Sequence, residues 1–398
     1  MLDMHLPSDV EFIIDRMRSH GYSAHVVGGS VRDSLIGREL GDFDITTNAL
    51  PEETKAVFAE YKTVDTGIQH GTVTLVLDGT PYEITTYRLD GDYKDNRHPE
   101  SVTFTASLEE DLARRDFTVN AMAYSPDGGL VDPFGGAVDA EASIIRAVGD
   151  PYRRFDEDAL RILRALRFAS TLDFNIEENT VKAAKELSDR LSSISRERVC
   201  TELKKLLCGV NAYGVLSKYA DIISVAFDGF CIERLPEKDR FCKADYFTRL
   251  CAIIYMNSDD STSCANNVLT SLKTDKFTRT HTISVIKAYE NADFTTEKKA
   301  LVTLAKYGRE ATEGALSLGI LMGELTDEDR VVLERALASG IPYTLSGLNL
   351  RGSDLISIGF NGEAVGASLN ALLFAVINGV VKNEKEELLA HLKDLRII

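Results

Sequence analysis

The feature that most restricts the fold of this chain is a change of hydrophobic period at Gly149-Asp150-Pro151. Before it, apolar residues fill short runs or alternate with polar ones, at 24–27, 42–46, 72–77 and 81–88, the pattern of buried and half-buried strands. Asp78-Gly79 joins the last two runs and predicts a hairpin. After it, apolar residues recur every three or four positions over 155–169, 180–191 and 195–207, and onward to the C-terminus, the period of an amphipathic helix. The expected class is therefore α+β: a small mixed head, opened by a helix over 8–20, followed by an all-helical remainder. At 398 residues the chain exceeds one ordinary core. The pattern divides it into a head at 1–142 and a helical remainder at 143–398, whose last helical unit forms a tail. Glycines 347, 352, 359, 362 and 366 punctuate the tail. Residues 89–101 are polar without period and predict a mobile loop.

Composition narrows the function. The longest apolar run, 371–381, is interrupted by Asn378 and Gly379 and is too short to span a bilayer. The first eighteen residues hold Asp3, Asp9, Glu11 and Asp15, which a secretory segment would not tolerate; a cytoplasmic protein is expected. The six cysteines form no CxxC or CxxH pair and read as reduced thiols. A net charge of −17 argues against nucleic-acid binding through bulk electrostatics, so any such binding needs a local cluster of cations.

Two short constellations carry chemistry. In Val27-Gly28-Gly29-Ser30-Val31-Arg32-Asp33 a strand turns into a helix, and paired glycines let backbone N–H groups approach an anion there. Arg32 adds a fork suited to phosphate oxygens. In Asp42-Phe43-Asp44-Ile45 the two carboxylates project from one strand face while Phe43 and Ile45 turn inward, and adjacent carboxylates favour a hard cation between them. Alone, the first is an ordinary tight turn and the second an ordinary polar strand face.

Their order resembles the polymerase-β-like nucleotidyltransferases, in which the glycine turn holds the triphosphate and the carboxylates hold magnesium. That resemblance implies a third carboxylate from a neighbouring strand, for which Glu83 is the candidate. Further segments are similar to class II tRNA nucleotidyltransferases of the tRNA nucleotidyltransferase and poly(A) polymerase family. These are Arg114-Arg115-Asp116-Phe117-Thr118-Val119-Asn120-Ala121, then Val131-Asp132-Pro133-Phe134-Gly135-Gly136, then Glu157-Asp158-Ala159-Leu160-Arg161 within an arginine-rich helix. The resemblance implies a nucleotidyltransferase head at 1–142 followed by an all-α neck at 143–210 with a nucleobase-reading helix, a body at 211–340 and an RNA-binding tail at 341–398.

It also implies roles. Asp42, Asp44 and Glu83 would be catalytic, with Mg2+ on Asp42 and Asp44. Gly28, Gly29, Arg32, Arg115, Asp116, Arg164 and Arg167 would bind the nucleotide. Asp158 and Arg161, three apart on one helix face, would read the base edge: an acceptor beside a donor complements cytosine and adenine and mispairs with uracil and guanine. Arg146, Arg153, Arg154, Arg161, Arg164 and Arg167 fall within 22 residues, and Arg196, Arg198, Lys204 and Lys205 follow, the local cluster that the net charge demands. The implied activity is template-independent addition of CCA to the 3′ end of tRNA from CTP and ATP. An A-adding or CC-adding enzyme, a poly(A) polymerase and a non-catalytic RNA-binding protein on the same fold are the alternatives. The full-length segment 88–104 favours complete CCA addition.

Overall fold

The computed structural model describes residues 4–90 and 102–394. The chain forms two compact units, Met1–Cys231 and Ile232–Ile398.

The first unit opens with α1 (Ser8–Ser19), whose Val10, Ile13, Ile14 and Met17 are buried at the one-face spacing of a helix. β1 (Ala24–Val27) ends at Gly28, whose φ of 76° suits glycine, and α2 (Gly29–Leu35) follows at once. Then come β2 (Asp44–Thr47), α3 (Pro51–Val57), β3 (Lys62–Gly67), β4 (Thr72–Leu77) and β5 (Thr80–Thr86). β6 (Arg88–Asp90) pairs with β7 (Val102–Phe104); the rest of the segment expected to be a mobile loop, 91–101, lies outside the described residues. α4 (Leu108–Ala113), β8 (Ala123–Ser125), β9 (Gly129–Val131) and α5 (Gly136–Glu141) complete the head-like part.

Seven strands make one sheet in the order β3-β4-β5-β2-β1-β8-β9. The hairpin expected at Asp78-Gly79 is present, β4 pairing antiparallel with β5 from Thr72↔Thr85 to Leu77↔Thr80. β1 runs antiparallel to both neighbours, with Val27 opposite Asp44 on β2 and opposite Ala123 on β8. That register decides where the site forms. The glycine turn leaves β1 where β2 begins, and Gly28 N–H reaches Met122 O at 3.2 Å on the other side. Two sequence-distant segments thereby flank one turn. Beneath the sheet, Ile45, Leu75 and Ile84 join the buried face of α1 in one apolar cluster, whose burial contributes roughly 25 cal/mol per Å2.

The chain continues, now mostly helical, with β10 (Ile144–Ile145), α6 (Pro151–Glu157), α7 (Leu160–Leu172), β11 (Asn175–Ile176), α8 (Glu178–Glu186), α9 (Arg196–Leu207), α10 (Ala212–Lys218) and α11 (Ala220–Ala226). α6 starts at the predicted breakpoint: Asp150 caps it by accepting from Tyr152 N–H, and Pro151 occupies the first turn. The helix expected across 155–169 is interrupted. Asp158 is extended (φ −147°, ψ 103°) and its Oδ1 accepts from Leu160 N–H at 3.0 Å. Such a short acidic side chain bonding two residues onward competes with helix hydrogen bonding. The helix expected over 180–191 stops at Glu186 and continues as a 3₁₀ turn, while that over 195–207 forms as α9.

Among its described residues the second unit forms helices and no strand, from α12 (Lys238–Lys243) to a last helix at Lys385–Asp394. Asp245, Asp260 and Asp275 cap three successive helices. Leu301, Leu304, Leu348, Leu372, Leu373 and Leu388 belong to one of its apolar clusters. The tail glycines expected from sequence include Gly359 (φ 102°) and Gly362 (φ 51°) in the turn between Gly352–Ser357 and Glu363–Ile377.

Candidate active site

One cleft of about 760 Å3 in the first unit gathers eleven of the twelve residues expected from sequence. Gly28, Gly29 and Arg32 come from the turn and α2; Asp42 and Asp44 from the start of β2; Arg115 and Asp116 from the turn after α4. Asp158 comes from the break between α6 and α7, and Arg161, Arg164 and Arg167 from α7. The twelfth, Glu83, is not among the lining residues. It is exposed on β5 opposite Thr74, one residue before Ile84, the partner of Ile45. The cleft adds Arg88, Arg114, Asn120, Phe168, Arg198 and Lys205. Its walls hold nine Lys or Arg and four Asp, the local positive cluster that a chain of charge −17 needs to hold a polyanion.

Asp42 lies just before β2 rather than in it, but the alternation survives: Asp42 and Asp44 are exposed, Phe43 is half-buried and Ile45 is buried. Crowding by protein around Asp44 raises its carboxyl above the usual range; Arg115 pulls it back and the charge of Asp42 pushes it up again. Two carboxylates that repel each other in this way fit a divalent cation. Among the described residues no group of three or more His, Cys, Asp or Glu is gathered to hold a metal. A cation on Asp42 and Asp44 would complete its shell with phosphate oxygens and water, which suits magnesium.

Behind this pair the arginines are held by carboxylates. Asp111, fully buried, accepts from Arg114 at 2.8 Å and from Arg115 at 3.5 Å. Arg115 Nη1 would lie 3.3 Å from a Cβ at Gly28, so a side chain there would crowd the guanidinium. Arg115 Nε is buried with no hydrogen-bond partner among the described residues, an orphan donor that a phosphate or ribose oxygen would satisfy. Asp116 is the hub of a chain of bonds. Its Oδ2 accepts from Arg164 Nε at 2.7 Å and its Oδ1 from Asn120 Nδ2 at 3.2 Å. Asn120 Oδ1 accepts from Arg32 at 2.6 Å, and Arg32 is also held by Asp33. Burial alone would raise the Asp116 carboxyl, but Arg164 and Asn120 bring it down to about 2.

The base-reading pair differs from the sequence expectation. Asp158 and Arg161 do not share a helix face, because α7 begins only after Asp158. They are brought together instead by a turn, Arg161 N–H bonding Asp158 O at 3.0 Å. Arg161 is 8% exposed, and its guanidinium bonds Glu157 at 2.7 Å, Arg154 O at 3.2 Å and Arg114 O at 3.1 Å. Among the described residues three of its five N–H donors are thereby used and two remain. Asp158 Oδ2 accepts from Arg198 of α9 at 2.7 Å. Glu157 and Arg198, which fix this pair, stand in the motif and in the basic cluster, but no bracing role was read for them from sequence. The i, i+4 spacing of Glu157 and Arg161 was the available signal.

At the other end of α7, Arg167 pairs with Glu202 at 3.0 Å and stacks 3.6 Å from the centre of the Phe168 ring. Arg32 and Arg164 approach the same ring at 5.4 and 5.5 Å. Segment 131–136 proves architectural. Asp132 caps α5 by accepting from Gly136 and Ala137 N–H, and a Cβ at Gly136 would sit 2.1 Å from Thr118 O. α5 thus packs directly on the turn that carries Asn120.

A glycine turn beside a carboxylate pair at the centre of a mixed sheet, facing an arginine-lined helix, defines a nucleotidyltransferase, an enzyme class generally dependent on a divalent metal. Residues 24–146 match the poly(A) polymerase head domain and 173–218 the probable RNA and SrmB-binding site of polymerase A. The chain is 37% identical to a CCA-adding enzyme of Geobacillus thermodenitrificans over 96% of its own length and 95% of that protein's. It is 36% identical to one from Levilactobacillus brevis over 98% and 99%. A crystal structure of the Bacillus stearothermophilus CCA-adding enzyme in complex with CTP superposes with a TM-score of 0.80 at 33% identity, covering 97% of this chain and 96% of that one. The chain belongs to the family of CCA-adding enzymes.

Proposed function

We propose that this protein completes the 3′ end of tRNA by adding CCA from CTP and ATP without a template, releasing pyrophosphate, and that it does so in the cytoplasm with Mg2+. The observation that carries the reading is the single cleft that joins a carboxylate pair, an orphan Arg115 donor and a braced acceptor–donor pair at Asp158 and Arg161. Among the described residues no helix is long and apolar enough to cross a membrane.

The RNA 3′-hydroxyl attacks the α-phosphate of the bound nucleotide in line, and pyrophosphate leaves. Magnesium on Asp42 and Asp44 would neutralise the triphosphate and lower the pKa of the attacking hydroxyl. Glu83, one residue before the strand partner of Ile45 but outside the cleft lining, is the third carboxylate proposed for this end of the site. Arg115, pinned by Asp111, offers its unused Nε–H to the α-phosphate region. Gly28 and Gly29 keep the turn clear of side chains, and Arg32 and Arg167 receive phosphate oxygens. Asp116 and Arg164 orient the ribose. Asp158 accepts from the amino group of cytosine N4 or adenine N6, and the two uncommitted donors of Arg161 meet cytosine N3 and O2 or adenine N1. Uracil and guanine reverse donor and acceptor, which a site built for hydrogen bonding rejects by on the order of 10⁴ or more. The helical parts at 143–210, 211–340 and 341–398 are assigned as neck, body and RNA-holding tail.

The test is to supply tRNA ending at the discriminator base with each NTP separately and all together, and to read product lengths. CTP alone should add two residues and CTP with ATP three; no addition of C to that end, with A added to tRNA already ending in CC, would instead identify an A-adding enzyme.

A further inference from the structure

The eight arginines that line the cleft are all held by the protein itself. On α7 the holders are Glu157, Asp116 and Glu202; Asp111, Asp33 and Asp158 hold others; Arg88 donates to His70 O. Lys205, the ninth cation, is exposed and has no hydrogen bond or ion pair among the described residues. Internally neutralised arginines chiefly position; an uncommitted ammonium contributes a full charge to whatever anion reaches it.

Its position says which anion. α7 and α9 run side by side in the same sense: Asp158 meets Arg198, Arg167 meets Glu202, and Ser170 meets Leu206 O. Arg198, Glu202 and Lys205 follow the i, i+4, i+7 spacing of one helix face. Lys205 is thus one turn beyond Glu202, at the Arg167–Phe168–Arg32 end, and roughly 10 Å along α9 from the base-reading end. That separation is comparable to the stretch of a nucleotide from base to terminal phosphate.

We propose that Lys205 binds the β- and γ-phosphates of the incoming nucleotide and the pyrophosphate that leaves. The inference rests on Asp158 and Arg161 marking the base end, as in the proposed function. A compact ammonium with three rotatable donors suits a group that moves as it departs, and it touches nothing that differs between CTP and ATP.

Steady-state kinetics of Lys205→Ala and Lys205→Arg, with CTP, ATP and tRNA varied in turn, test it. One charge-assisted hydrogen bond corresponds to about a tenfold change. KM for CTP and for ATP should rise about tenfold and by equal factors, the inhibition constant for pyrophosphate should rise alike, KM for tRNA should stay put, and Lys205→Arg should recover most of the loss. A rise in tRNA KM with nucleotide KM unchanged would move Lys205 to the RNA backbone and overturn the proposal. So would unequal effects on CTP and ATP, or no effect at all. Calorimetric titration of inorganic tripolyphosphate with Mg2+, without RNA, provides an arm independent of turnover. Weaker binding by Lys205→Ala supports the assignment even if the wild-type protein does not make CCA ends, and equal binding refutes it.

Discussion

Asp116 shows how much a single carboxylate organises here, since it fixes Arg164 and, through Asn120, Arg32. Replacing it with asparagine leaves the Arg164 charge uncompensated, at a cost of roughly 2–3 kcal/mol, toward the low end for a buried pair because Arg164 is partly solvated. The sign of the pH dependence follows from a folded pKa of about 2, below the ordinary aspartate value. The stabilisation is complete above the unfolded pKa and fades as pH falls through the folded one. Denaturant melts should show Asp116→Asn destabilised at neutral pH, with the gap to wild type narrowing from about pH 4 toward pH 2. Asp42 and Asp44 are different in kind, because both are exposed and neither braces the core. Asp42→Ala and Asp44→Ala should each abolish incorporation while melting within a degree or two of wild type; more than a few per cent activity in the double variant would remove them from catalysis. At the base-reading pair, Asp158→Ala and Arg161→Ala should raise UTP and GTP use relative to CTP. Loss of rate with unchanged preference in both variants would refute the proposed template role.

At the scale of elements, strand–turn–helix at 24–35 was readable because every signal is local: a short apolar run, two glycines, then helical spacing. The start of α6 coincides with the change of period at Asp150-Pro151, although helical spacing was read only from 155. The break at Asp158 was not, because apolar spacing runs through it unaltered and its causes, Leu160 N–H and Arg198, are a backbone bond and a residue 40 positions away. β8 and β9, three residues each, carry too little sequence for a period, and they were missed although β8 completes the wall of the glycine turn. The site residues were legible through motif order, whereas the partners that hold them, Asp111 and Glu202 above all, depend on which helices meet. Two elements yield predictions. Gly136→Ala forces a Cβ against Thr118 O, so α5 must lift off the Asn120 turn, costing about 1–3 kcal/mol and lowering incorporation; wild-type melting and activity would contradict this packing. The segment 91–101 joins β6 to β7 and holds Asp92, Asp95 and Arg97. CTP and ATP differ in size, so one fixed pair cannot sit at the right depth for both. Shortening 90–100 should leave products ending in CC on tRNA that lacks all three nucleotides, read on a sequencing gel, and full CCA ends at wild-type rate would reduce the segment to a connection.

Over the whole molecule, an acidic chain concentrates positive charge in one place, and nearly all of that charge is already answered from within. A cell is crowded with polyanions, chromosomal DNA and ribosomes among them, and a protein with a bare cationic groove acts there as an ion exchanger. A cleft whose arginines are bound to their own aspartates and glutamates presents little loose charge to trade, and the acidic remainder repels long polymers that arrive without a fitting end. Heparin and duplex DNA should therefore be poor competitors of tRNA, weakening its use only at concentrations far above those of the tRNA itself. The internal ion pairs make the enzyme selective about company before any base is read.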